Sequence, residues 1–202
     1  MRKLILYVTA FISGFVLMGF ELFGTRILAP FFGSGMHVWG AMIAIVMGGI
    51  SIGYALGGIA ADKKEPVKLL RSVLLTAGIL LMLFPLYANP VCNLVDSFQI
   101  GRKTSTLITA VAIFIIPAFF MGMTAPVLVK LEVREVESVG AGSGAVYSIT
   151  TAGSIAGTLV TAFLLVGAVP SLAAVASLGV LLCINSVVIA VTGKRIRGEK
   201  SE

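Results

Sequence analysis

Along this chain apolar residues neither alternate at the strand period nor recur on one helical face; they run on, broken only by short polar stretches. Six segments result, approximately 4 to 28, 38 to 61, 68 to 90, 104 to 129, 145 to 167 and 171 to 192. Each meets the roughly 20 residues that a helix needs to cross about 30 Å of hydrocarbon. The pattern predicts an all-α integral membrane protein: one six-helix domain over residues 1–202, with nothing resembling a separate soluble unit. Arg2-Lys3 before an apolar run has the look of a secretory leader. However, the apolar character continues through Phe32 without a small-x-small cleavage site, so the first segment is expected to stay as a helix.

Composition agrees with the pattern. Of 202 residues, 58% are hydrophobic and 12% charged, with a mean hydropathy of +1.06. That is too little charge to clothe a soluble domain. The net charge of +6 is not a nucleic-acid footprint, because the basic residues cluster between the apolar runs. Arg2, Lys3, Lys63, Lys64, Lys68, Arg71, Lys130, Arg134, Lys194, Arg195, Arg197 and Lys200 fall on one side of the predicted topology, and Arg102 and Lys103 on the other. The positive-inside rule then puts both termini in the cytoplasm and the chain in the cell membrane as a multi-pass protein. Cys92 and Cys183 match no metal or redox spacing, and their predicted depths are too different for a disulfide. His37 is the single histidine, and Trp39 beside it reads as an interfacial anchor. No metal and no cofactor is expected, and no HExxH is present to suggest an enzyme.

The polar exceptions inside the apolar runs are the candidate chemistry. Glu21 and Arg26 stand within the first segment, where a charge at bilayer depth costs roughly 2.5 to 3.5 kcal/mol unless a partner, a cavity or the interface relieves it. Five residues apart on a straight helix they point about 140° away from one another, so a direct pair requires a break, for which Gly24 and Pro30 are the candidates. The alternative is that Arg26 snorkels to the interface while Glu21 bonds a hydroxyl. Gly49, Gly53 and Gly57 in the second segment, and Gly153 and Gly157 in the fifth, form smooth faces on which another helix backbone can lie. Tyr147, Thr151, Ser154, Thr158 and Thr161 make one stripe of hydroxyls, which lines a path or ties helices together. Asn185 in the sixth segment reads as an interhelical tie. Pro117 is expected to kink the fourth segment. The charged stretch 130–137 reads as a solvated face, and Gly140, Gly142 and Gly144 as a flexible entry to the fifth segment.

Gly58, Asp62, Lys63, Lys64 and Lys68 between the second and third segments resemble the GxxxD-plus-basic loop of major facilitator transporters, departing from it at Glu65-Pro66. Gly24-Thr25 and Ala29-Pro30 are echoed by Gly122 to Pro126, and Gly49/Gly53 by Gly153/Gly157, as a three-plus-three inverted repeat would produce. Taken with Glu21 to Gly33, Val38-Trp39-Gly40, Gly53 to Gly58, Met121 to Pro126 and Tyr147 to Gly157, nearly the whole chain resembles the membrane domain of the fused major-facilitator/spermidine-synthase-like proteins. The resemblance implies a half-major-facilitator bundle and a transporter-like function for a small polar or cationic solute, with a polyamine as the substrate class. Glu21, Arg26, Tyr147, Thr151 and Ser154 would be its substrate or coupling residues. The soluble aminopropyltransferase-like domain of that family has no counterpart in these residues. The rival expectation is therefore a non-catalytic scaffold for such an enzyme encoded separately. The partners to expect are the lipid bilayer, a second copy of the chain, and that soluble protein.

Overall fold

In the computed structural model, which describes residues 2–133 and 139–197, the chain is all-helical, with no β-strand among the described residues. The helices are α1 (Arg2–Phe32), α2 (Met36–Lys63), α3 (Pro66–Met82), α4 (Phe84–Ser97), α5 (Arg102–Glu132), α6 (Val139–Val160), which runs into a π-helical turn (Thr161–Leu165), and α7 (Ser171–Arg197). By length and composition five of them can cross a membrane, and six spans result if the bent pair α3–α4 is one.

Three boundaries depart from the sequence expectation. The third segment does not stop at residue 90 but continues to Ser97 as two helices bent by 58°. Pro85 opens α4 with no N–H to give, so the ladder ends where the Leu83 N–H closes on Ile79. The first segment, by contrast, is unbroken. Gly24 is tolerated as an ordinary helical residue, Pro30 lies in the last turn where its missing bond matters least, and Gly33 at φ +86° ends the helix. Gly140, Gly142 and Gly144 are no flexible entry either, because they lie within the first turns of α6. α5 passes through Pro117 and Pro126 without interruption.

Small residues set how closely the helices meet. A β-carbon on Gly53 would strike the Phe119 carbonyl, and one on Gly49 would sit 2.9 Å from the Ile115 carbonyl, so α2 lies backbone to backbone on α5. The same geometry joins α6 to α1, where Gly153 faces the Phe11 carbonyl and a β-carbon on Gly157 would sit 2.8 Å from the Phe15 Cα. A third seam holds α3 to α7: Gly78 and Gly179 face each other, and a β-carbon on either would come within 2.9 Å of the other's carbonyl. With no hydrophobic force between helices in lipid, such close approach supplies the dispersion contacts that associate them. α1 and α5 cross at the centre, α1 also packing on α7 and α5 on α3. Phe20, Phe84 and Phe114, whose ring centroids lie 5.1 to 5.4 Å apart, fill the space among α1, α4 and α5.

Cys92 and Cys183 are free thiols. Both should take up one alkylating group each after denaturation without reductant, as read by intact mass. A chain two mass units light and refractory to alkylation would contradict the helix order.

Candidate functional site

Glu21 is partly buried and Arg26 exposed, and they form no ion pair. The pairing considered from the sequence fails because α1 continues unbroken through Gly24, which leaves the two side chains on different faces. Glu21 has no polar partner among the described residues. One turn before it, Met18 lines a cavity of about 290 Å³ with Thr151, Ser154 and Thr158 of α6. One turn after it, Thr25 lines a cavity of about 300 Å³ with Arg26, Ser34, Val38 and Trp39, the last two at the start of α2. Residues three and four apart share a helix face, so Glu21 lies on the strip of α1 that looks out between α6 and α2.

The hydroxyl stripe of α6 divides between two uses. Tyr147 and Thr151 are exposed. Ser154 donates to the Gly14 carbonyl at 3.3 Å and Thr158 to the Ser154 carbonyl at 2.9 Å, so the middle of the stripe ties α6 to α1 and to itself. Thr161, fully buried where the helix widens into the π turn, has a hydroxyl oxygen without a partner. Asn185 is bonded across to α1, accepting from the Thr9 hydroxyl at 3.1 Å. In the loop motif, Gly58 lies in the last turns of α2, Asp62 accepts from Lys130 of α5 at 2.7 Å, and Lys63 and Lys64 are exposed.

The sequence reading missed a cluster at the end of the bundle where α1 starts and α5 stops. Glu132, expected on a solvated face, is 7% exposed. Its Oε1 accepts from the Tyr7 hydroxyl at 3.0 Å and lies 3.3 Å from the Lys3 ammonium, while the Arg2 guanidinium donates to the Leu131 carbonyl. Lys3 and Tyr7, four apart on α1, were a legible pair of polar residues on one helical face. Glu132 was not, since it sits in a row of charges. Arg134, Glu135 and Glu137 of that row lie outside the described residues.

These features define an all-helical bundle whose long apolar helices can cross a membrane, with Glu21 of α1 left without a polar partner among the described residues. No family model, no curated protein and no solved structure matches the chain.

Proposed function

We propose that the chain is a transporter-like membrane protein for a small polar or cationic solute. The observation that carries the reading is Glu21: a carboxylate within an apolar span, without an ion pair or hydrogen bond among the described residues, on the strip of α1 that opens between α2 and α6. Such a group is costly unless it meets water, a cation or a proton, and intramembrane acids serve ion and substrate paths for that reason. In this reading Glu21 attracts the cation, and the exposed hydroxyls of Thr151 and Tyr147, with Ser154 beside them, supply neutral hydrogen-bonding groups along α6. Arg26, which does not pair with Glu21, stands at the mouth rather than in the path. A polyamine as the solute rests on the family resemblance alone.

An inverted three-plus-three arrangement in a half-major-facilitator bundle belongs to the same proposal. The contacts are exchanged consistently when the first three spans are replaced by the last three. α6 lies on α1 as α2 lies on α5, α7 lies on α1 as α3 lies on α5, and α3 and α7 meet each other. The register agrees: a single interval carries Gly49 to Gly153, Gly53 to Gly157, Phe11 to Ile115 and Phe15 to Phe119, the four pairs of residues that make the backbone contacts. Cytoplasmic termini rest on the distribution of Lys and Arg. A second copy would face α2 and α6, which bury 28% and 17% of their apolar windows against 44% or more in α1, α5 and α7.

The test is uptake into proteoliposomes of a labelled diamine, a polyamine and a neutral solute of similar size. Uptake of the amines is expected to fall to background in Glu21→Gln, whereas Thr151→Ala retains part of it. Full uptake in Glu21→Gln would remove the role given to Glu21, and no uptake of any solute would favour the rival scaffold. For that rival the exposed Lys63, Lys64 and Arg71 offer a basic surface to an acidic soluble partner.

A further inference from the structure

At the opposite end of α1 from the Glu132 cluster, three polar side chains from three helices converge on one cavity, and none of them has a partner in the described protein. The cavity, of about 360 Å³, is lined by Arg26 and Pro30 of α1, Asn89 of α4, and Ser171 and Leu172 of α7. Arg26, Asn89 and Ser171 make no hydrogen bond or ion pair among the described residues. At the other end of the bundle, Lys3, Lys68 and Lys130 each meet a carboxylate. No acid lines the Arg26 cavity.

We propose that this cavity is an anion site for a phosphate group. A guanidinium offers five N–H donors in a planar fork that matches two oxygens of a phosphate, and the exposed Arg26 fork meets no protein acceptor among the described residues. Asn89 adds an amide donor and Ser171 a hydroxyl. Ser171 also opens the 27-residue helix α7, whose first-turn N–H groups carry partial positive charge at the same place. Ile27, Pro30 and Leu172 form an apolar wall beside these donors, which suits a group with a charged head and a hydrocarbon body. Two sources share the chemistry: the phosphodiester of a lipid headgroup and a soluble phosphate. The site does not depend on the chain being a transporter.

The experiment measures thermal unfolding of the full chain, delipidated in a neutral detergent, in two titrations. One adds phosphatidylglycerol, with diacylglycerol of the same acyl chains as the control that lacks the phosphate. The other adds inorganic phosphate against chloride at matched ionic strength. Phosphatidylglycerol should raise the unfolding temperature where diacylglycerol does not, and Arg26→Gln should abolish the rise. Arg26→Lys and the Asn89→Ala/Ser171→Ala double variant, which keep the charge or the fork, should each raise the half-saturating concentration by about tenfold. A rise with inorganic phosphate that Arg26→Gln abolishes assigns a soluble anion to the same site. An equal response to diacylglycerol, or unchanged titrations in Arg26→Gln for both probes, overturns the site. Should Arg26→Gln not fold, unchanged half-saturation in both of the milder variants overturns it equally.

Discussion

Gly53→Leu and Gly157→Leu are each expected to lower the unfolding temperature in detergent far more than Gly35→Leu, which alters the short connection before α2. At Gly53 the first added carbon already meets the Phe119 carbonyl, and at Gly157 it meets the Phe15 backbone. Neither neighbour is a side chain that can turn away. Helix axes must separate, and the contacts along the whole seam loosen with them. Overpacking a well-packed site costs about 1 to 3 kcal/mol when side chains can yield. With backbone on both sides the upper end, about 3 kcal/mol or more, is the expectation. Gly35 makes its nearest contacts with the His37 ring, which can move, so Gly35→Leu should stay within about 1 kcal/mol of wild type. Equal melting temperatures for the three variants would refute backbone contact as the force that holds α2 on α5 and α6 on α1.

The second large effect concerns Glu132. Removing its partners should do more harm than removing its charge. In the Tyr7→Phe/Lys3→Met double variant the carboxylate stays buried with neither hydroxyl nor ammonium, a situation that costs about 3 to 5 kcal/mol when a fully buried pair is broken. Because Lys3 is largely in solvent, its share is small and the lower end applies. Glu132→Gln keeps the shape and a hydrogen-bond acceptor for Tyr7, so a loss of about 1 kcal/mol is expected. Adding Glu132→Gln to the double variant should then recover most of the lost stability. Unfolding temperatures of the four proteins decide this, and a triple variant no more stable than the double one would show that the burial of Glu132 is not what strains it.

Much of the architecture lies on the surface of the sequence. Helices in lipid must be long, apolar and internally hydrogen-bonded, so run length alone locates them. A glycine every fourth residue marks a face on which a backbone will rest, and this made the seams at Gly49/Gly53 and Gly153/Gly157 visible as seams. Which helix would occupy each face was not visible. Glycine has no side chain with which to choose a partner, and the choice followed from how all the spans pack at once.

Local strength of signal also misled at three places. Gly24 and Pro30 are helix breakers by propensity, yet α1 runs unbroken through both, which keeps Glu21 and Arg26 on different faces. Pro85, by contrast, stands at the break of its span. Glu132 is a charge among charges in the sequence and a buried acid in the fold, because the start of α1 lies beside the end of α5 and brings Tyr7 and Lys3 to it. By itself, then, the sequence determined the all-helical membrane class, the approximate spans and the glycine faces, since each follows from residues close in the chain. Only the tertiary structure decided the pairing of helices, the isolation of Glu21, the burial of Glu132 and the meeting of Arg26 with Asn89 and Ser171. Those depend on contacts between residues far apart in sequence, which no local pattern encodes.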